Sequence, residues 1–170
     1  MPNTTATNWL TGFEELIQSL RCACMEHYGE RLVSLALFGS AGRGTMRPDS
    51  DLDFLVVASP LPNGRMRRVE DFAPVESVLE PELRTKQSRG VYTYLSPIFK
   101  TPEEIVATSP ILLDMTEDVR VLFDREGFLG RQLADLRARL RKLGARRVFS
   151  GDGWWWDLKP DFKDGEVFSI

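Results

Sequence analysis

The sequence predicts an α+β fold in which a mixed β-sheet is flanked by helices and followed by a C-terminal helix and β-hairpin. Short apolar runs of strand length alternate along the chain with longer segments of helical spacing. The runs 146–150 and 154–158 are separated by Gly151-Asp152-Gly153, which is typical of a hairpin turn. A chain of 170 residues can also bury a core of its own without disulfides.

The first half of the chain alternates helix and strand. A helix is predicted over 8–28, where apolar residues recur at helical spacing behind Asn8 as the N-cap. Residues 31–38 (RLVSLALF) and 51–58 (DLDFLVVA) are the first two predicted strands, and the apolar end of the second indicates burial on both faces. A helix follows over about 65–83, with an internal proline that predicts a kink or a restart.

The second half continues with shorter elements. Residues 91–99 form the third predicted strand, and Pro97 within it indicates a sheet edge or a strand end. Residues 101–104 have the pattern of a helix start, with Thr as N-cap, Pro first and Glu third. A fourth short strand is predicted over 119–123. The clearest helix covers 127–143, because its leucines recur at steps of four and three.

Composition and charge exclude several classes of protein. We expect a single domain over 1–170, with a core at about 8–125 and an extension at about 127–170. A net charge of -3 argues against a general polyanion binder. Cys22 and Cys24 lie two apart in a predicted helix and point in different directions, so we expect reduced thiols. Without a signal-peptide pattern or an apolar run of about 20 residues, we expect a cytoplasmic protein and no membrane partner.

The stretch 37–57, LFGSAGRGTMRPDSDLDFLVV, carries the chemistry. Asp51 and Asp53 are two apart at the start of a strand, so their carboxylates project from the same face. Two carboxylates placed together repel each other unless a cation lies between them. Mg²⁺ suits such a pair, because it binds one or two carboxylates together with substrate phosphates. The plainer alternative is that both aspartates only cap the strand.

The polar turn before the aspartates has the residues of a phosphate site. Gly39 lets the backbone approach a ligand closely, and Ser40 supplies a hydroxyl followed by amides that can form an anion-binding turn or a helix N-terminus. Arg43 lies in the same turn, where a guanidinium can hold a β- or γ-phosphate. A solvent-exposed turn arginine is an equal alternative for Arg43 and the preferred interpretation for Arg47.

This stretch resembles the motif of the polymerase-β-like nucleotidyltransferase superfamily. In that motif Gly-Ser is followed after ten residues by Asp-x-Asp, here Gly39, Ser40, Asp51 and Asp53. The likeness is greatest to the minimal nucleotidyltransferases, which include partners of HEPN-domain toxins. It implies the nucleotidyltransferase fold and transfer of a nucleoside monophosphate from a nucleoside triphosphate, with ATP as the expected nucleotide. The acceptor hydroxyl belongs to a protein, an RNA or a small molecule.

The same resemblance implies cofactors and partners. Asp51 and Asp53 would hold Mg²⁺ or Mn²⁺, and Gly39, Ser40 and Arg43 would bind the nucleotide. A separate HEPN-like protein is a possible partner chain. A homodimer is possible for a different reason, because the run Trp154 to Trp156 can form a dimer contact.

The chain departs from the superfamily in one respect. Active members usually have a third carboxylate on a neighbouring strand, and the residues 91–96 expected to carry it contain no acid. We favour Asp114, at the end of the apolar run ILLDM, as the substitute. The other acids considered are Glu76, Glu80, Glu103 and Glu104. If none serves, the alternative function is a non-catalytic nucleotide-binding or antitoxin-like interaction module of the same fold.

Two features near the C-terminus leave their role open. The last long helix is rich in arginine and lysine, which indicates a solvated face more than a nucleic-acid patch. Trp154, Trp155 and Trp156 lie in a predicted strand, so the first and third face one way and the second the other. We favour packing or an interface over base stacking for these rings.

Overall fold

The computed structural model describes residues 4–88, 90–107, 109–151 and 153–170, with side chains from Trp9 onward. The helices within these residues are α1 (Thr4–Tyr28), α2 (Gly39–Arg43), α3 (Arg65–Gln87), α4 (Pro102–Val106), α5 (Ile111–Met115) and α6 (Phe128–Leu143). The strands are β1 (Leu32–Leu37), β2 (Leu52–Ala58), β3 (Leu95–Lys100), β4 (Arg120–Asp124), β5 (Arg146–Ser150) and β6 (Gly153–Asp157). None of the described helices is long and apolar enough to cross a membrane.

Strands β1 to β4 form a mixed sheet in the order β3-β2-β1-β4. Strand β1 is antiparallel to both β2 and β4, whereas β2 and β3 are parallel. A parallel pair needs a crossover connection, and α3 supplies it. Strands β5 and β6 form a separate antiparallel hairpin, whose predicted turn residue Asp152 lies outside the described residues. The predicted α+β fold, with its mixed sheet, flanking helices and C-terminal helix and hairpin, is confirmed.

The sheet is buried on both faces. Side chains of β2 alternate between the faces, as the strand geometry requires. Phe54 and Val56 join α1 and α3 in one apolar cluster, while Leu55 and Val57 join α4, α5 and α6 in the other. The prediction that the second strand is buried on both faces is confirmed. Because Asp53 alternates in step with Leu55 and Val57, its side chain lies on the α6 side of the sheet.

Two predicted helices begin or end differently from the prediction. Helix α1 begins at Thr4, so Asn8 lies inside the helix and its assignment as N-cap is wrong. Helix α3 continues past 83 to Gln87 and through both Pro74 and Pro81. Its buried residues Phe72, Val75 and Leu79 pack against the sheet on both sides of Pro74, which offsets the lost backbone hydrogen bond. Residues 39–43 form the short helix α2, in agreement with the second of the two predicted alternatives for this stretch, a helix N-terminus.

Strand β3 is shorter than predicted and lies at the edge of the sheet. It begins at Leu95, because the preceding residues are bonded differently: the Tyr92 N–H donates to the Pro48 carbonyl at 2.7 Å. Pro97 occupies this edge strand, as predicted. The outer side of β3 is covered in part by Arg68 of α3, whose guanidinium donates to the Phe99 carbonyl at 3.0 Å.

The predicted helix signals are confirmed where they depend on local sequence. Thr101 and Glu104 form a reciprocal capping box at the start of α4. The leucine stripe of α6 is buried, and Gly144 ends that helix in the left-handed conformation. The buried leucine stripe holds α6 against the sheet face that carries Asp53.

Candidate active site

The Gly-Ser turn and the aspartate pair meet where β1 ends and β2 begins. The Phe38 N–H donates to the Asp53 carbonyl at 3.1 Å, which fixes the start of α2 beside β2. Gly39 has a φ of +61°, and a Cβ built on it would lie 2.5 Å from Asp53 Oδ2. Only glycine therefore lets the backbone of the turn lie against this carboxylate. The structure thus brings Gly39, and Ser40 directly after it, to Asp53.

Asp53 is a partly buried carboxylate in an unfavourable charge environment. Burial raises the pKa of Asp53, and the neighbouring negative charge of Asp51 raises it further. A hydrogen bond from the Ser96 hydroxyl and the positive charge of Arg43 act in the opposite direction. Two acidic oxygens in this position are the type of ligand that Mg²⁺ binds, so the pair fits the predicted ion.

Asp51 is exposed and lines a cavity of about 880 Å³ that extends along β3. Ser96 of β3 also lines this cavity. It is the residue paired with Asp53 in the parallel register of β2 and β3. Polar and charged residues contribute about half of the remaining wall: Arg65, Arg68, Glu76, Tyr94, Lys100 and Glu104. The cavity is large enough for a substrate group to approach the aspartates from the β3 side.

No third acid joins the aspartates on β3. Ser96 stands opposite Asp53, at the place where the superfamily motif led us to look for a carboxylate. In the part of the chain that the structure describes, no three acidic, histidine or cysteine side chains are grouped as a metal site. Glu76 of α3 lines this cavity together with Asp51 and also lines an adjoining cavity of about 510 Å³, to which Glu80 contributes as well. Glu104 is held by Arg68 through two hydrogen bonds of 2.8 and 3.0 Å.

The contacts of Asp114 connect it to the hairpin. Its Oδ1 atom accepts hydrogen bonds from Trp154 Nε1 at 3.1 Å and Trp156 Nε1 at 3.0 Å. Among the described residues, no hydrogen bond or ion pair connects Asp114 with the residues around Asp51 or Asp53. Our prediction of Asp114 as the substitute acid therefore gains no support, because its carboxylate already accepts hydrogen bonds from two indole N–H groups.

Arg43 lies between the aspartates and the hairpin. Its guanidinium carbon is 4.9 Å from the centre of the Trp154 ring, and its Nη1 is 3.7 Å from Asp118 Oδ2. Sequence analysis placed Arg43 at the nucleotide but missed Ser96 and Asp118. Ser96 was visible in the sequence only as the polar residue of an apolar strand, and nothing in the sequence distinguished Asp118.

The hairpin alternates as predicted. Trp154 and Trp156 share its inner face, and Trp155 is 54% exposed on the other face. Packing, which we favoured over base stacking, describes the two inner rings. On α6, Arg137 donates to the Thr116 carbonyl and the outward-facing basic side chains are exposed, in agreement with a solvated face.

Comparison with known proteins places this site in context. The family model described as nucleotidyltransferase domain matches residues 17–107, which is more than half of the chain. A curated protein of Methanocaldococcus jannaschii, named as a candidate protein adenylyltransferase, is 29% identical over 125 residues. That alignment covers 71% of this chain and 78% of the archaeal protein.

Two solved structures are distant likenesses. A solved toxin-antitoxin structure with AMP-PNP is 17% identical to this chain, with a TM-score of 0.44. The match covers 77% of this chain and 92% of the chain in that structure. A tri-AMPylated Shewanella oneidensis HEPN toxin in complex with MNT antitoxin shares 14% identity at a TM-score of 0.38, with coverages of 80% and 92%.

Proposed function

Because this chain belongs to the nucleotidyltransferase domain family, we propose that it transfers a nucleoside monophosphate to an acceptor hydroxyl with Asp51 and Asp53 at the catalytic centre. The observation that carries the proposal is the contact of Gly39 with the Asp53 carboxylate. It joins the turn that would bind phosphate to the pair that would bind metal. A nucleoside triphosphate is the substrate that needs both.

Each residue of the proposed site has a separate task. Asp51 and Asp53 would hold Mg²⁺ or Mn²⁺, which when bound neutralises phosphate charge in the transition state. The Ser96 hydroxyl, on the β3 residue paired with Asp53, favours the charged form of that carboxylate. Gly39 and Ser40 lie where the triphosphate would meet the turn, and Arg43 supplies a cation for the β- or γ-phosphate.

The nucleotide and the acceptor are finer parts of the proposal. The name of the archaeal relative supports ATP as the nucleotide and a protein hydroxyl as the acceptor. We place the acceptor in the cavity along β3, because that cavity opens beside Asp51 and Ser96. Incubation of the protein with labelled ATP, Mg²⁺ and cell extract tests the proposal, and labelled macromolecules that appear only with active protein support it.

Removal of both site carboxylates should abolish metal-dependent nucleotide binding. In the double variant Asp51→Asn with Asp53→Asn, the ligands of the ion are lost while the fold remains, because both residues lie at the edge of the core. Calorimetric titration with ATP, in the presence and absence of Mg²⁺, measures the effect. A double variant that binds ATP with unchanged metal dependence would show that the metal site is elsewhere.

Glu76 is our proposed replacement for the absent third acid. Helix α3 packs on the sheet face opposite the Asp53 side chain, but Glu76 lines the cavity that Asp51 also lines, and we propose that it accepts the proton of an acceptor bound in that cavity. Glu76→Gln should lower kcat by about 10²–10⁴-fold, the usual contribution of a general base, and leave ATP binding unchanged. Glu80→Gln is the matched control, since Glu80 lies one turn further along α3 and lines the adjoining cavity. Equal rates for the wild type and Glu76→Gln would exclude this role.

We propose two partners for this chain, a separate HEPN-like protein and a second copy of the chain itself. The HEPN-like partner is proposed from the resemblance described above, and the homodimer from the tryptophan run at 154–156. Light scattering of the purified chain decides between monomer and homodimer. A chain that binds ATP but labels no acceptor under any condition would favour the non-catalytic, antitoxin-like module.

A further inference from the structure

The C-terminal hairpin contacts the proposed nucleotide site although it lies beyond residues 17–107, which the family model matches. We propose that the hairpin is a working part of that site and that Trp154 is a positioning residue, which holds Arg43 ready for the triphosphate. The inference rests on the proposed function. Four sets of contacts carry it, from the sheet outward to Arg43.

The hairpin lies on the same side of the sheet as Asp53. Trp156 packs against the apolar cluster that includes Leu55 and Val57 of β2. Asp53 alternates in step with those two residues. The hairpin is therefore attached on the face where the Asp53 carboxylate projects.

The orientation of the inner tryptophan rings is fixed by Asp114. Both indole N–H groups donate to the same carboxylate oxygen, at 3.1 Å from Trp154 and 3.0 Å from Trp156. A partly buried indole that keeps its hydrogen bond cannot rotate freely. The face of Trp154 is thereby held in one direction.

Arg147 ties the hairpin to the segment between α5 and β4. Its guanidinium lies 5.2 Å from the Trp154 ring centre and 5.4 Å from that of Trp156. It also donates to Asp118 Oδ2 at 2.7 Å and to the Asp114 carbonyl at 3.0 Å. With a side chain only 13% exposed, Arg147 makes these charge-assisted bonds largely away from water.

Arg43 is held by the same group of residues. Asp118 Oδ2, which accepts from Arg147, is also 3.7 Å from Arg43 Nη1, and the Arg43 guanidinium lies over the Trp154 ring. The backbone of α2 is in close contact as well, since a Cβ on Gly42 would lie 2.7 Å from the Asp118 carbonyl oxygen. The positive charge of Arg43 also acts on Asp53, where it partly opposes the rise in pKa that burial causes.

An arginine that is already ordered loses less conformational entropy when it binds phosphate. Loss of the Trp154 ring should free the Arg43 side chain and weaken ATP binding by about threefold to tenfold, the usual cost of ordering one long side chain. Because the chemical groups of the site are unchanged, the loss should appear in KM and in the calorimetric Kd more than in kcat.

The experiment compares Trp154→Leu, Trp154→Phe and Trp155→Leu by titration with ATP and Mg²⁺. We expect weaker binding for Trp154→Leu, partial rescue by Trp154→Phe, which keeps an aromatic face, and no change for Trp155→Leu on the outer face. Trp154→Leu is then repeated in an Arg43→Ala background. If Trp154 acts through Arg43, it has no further effect there.

Each outcome decides a separate claim. Equal losses for Trp154→Leu in both backgrounds, or equal losses for Trp154→Leu and Trp155→Leu, would overturn the positioning role and leave the proposed function intact. A wild-type chain that does not bind ATP at all would overturn both. Thermal melting of each variant identifies one that fails to fold, and Trp154→Phe then serves in place of Trp154→Leu.

Discussion

Replacement of Gly39 by alanine should nearly abolish nucleotidyl transfer. The added Cβ would lie 2.5 Å from Asp53 Oδ2 and 3.3 Å from its Cγ, so the carboxylate or the turn must move by about 1 Å to restore an ordinary contact. A displacement of about 1 Å in a reacting geometry costs roughly 10²-fold in rate. We therefore expect kcat for labelled-ATP transfer to fall by about 10²-fold or more.

Gly44→Ala is a matched control for this change. Gly44 ends α2 with a φ of +72°, close to the +61° of Gly39, but a Cβ there would meet nothing within 4 Å. Both variants force a side chain into the left-handed conformation, which costs about 1 kcal/mol. Both should lose the stability that this strain costs, Gly39→Ala should lose more because of its contact with Asp53, and only Gly39→Ala should lose activity. Equal activity losses would mean that backbone strain, and not the contact with Asp53, controls the rate.

Asp53→Asn should remove activity and at the same time stabilise the metal-free protein. Loss of a carboxylate that holds the ion removes several kcal/mol of transition-state stabilisation, so transfer should fall by about 10³-fold or more. Stability should rise at neutral pH, because asparagine carries no charge to desolvate and can still accept the Ser96 hydrogen bond. Thermal melting in buffer with a chelator measures this gain.

The contribution of Asp53 to folding stability depends on pH in a defined direction. The pKa of Asp53 in the folded chain lies above its ordinary value of 3.8, so the folded state binds the proton more tightly than the unfolded state. The wild type therefore loses stability as the pH rises from that ordinary value through the folded pKa. The melting temperature of Asp53→Asn should exceed that of the wild type above this window and match it below.

Asp51→Asn is the control for stability. Asp51 is exposed, so its replacement should reduce transfer without a comparable gain in melting temperature. Mg²⁺ should narrow the difference between Asp53→Asn and the wild type, because only the wild type keeps both ligands. If Asp53→Asn melts below the wild type at neutral pH, the carboxylate is stabilised by contacts other than those described above.

Much of the fold was predictable because its signals are local. The capping box at Thr101 and Glu104 and the leucine stripe of α6 each depend on residues within a few turns of one another. The contact between Gly39 and Asp53 was predictable for a related reason, since one short turn connects their strands. By contrast, Asn8 has an N-cap's side chain but lies inside α1, because the helix has a further turn before it.

The parts that sequence could not predict depend on distant pairings. Ser96 faces Asp53 only because β2 and β3 are parallel, and that register depends on how the α3 crossover packs on the sheet. Trp154 meets Arg43 across more than a hundred residues, through side chains whose hydrogen bonds leave no periodic signal. Asp114 illustrates the same limit: an acid after an apolar run is compatible with a catalytic base or with an anchor for two indoles.

The edge position of β3 has a consequence for how other chains can approach. Pro97 has no N–H to donate, and the Phe99 carbonyl already accepts from Arg68, so the outer side of this strand lacks a continuous row of free backbone groups. A foreign strand cannot easily extend the sheet there, which protects the protein from edge-to-edge aggregation. The cavity beside Asp51 is thus open to a projecting side chain or a chain end, and closed to strand addition.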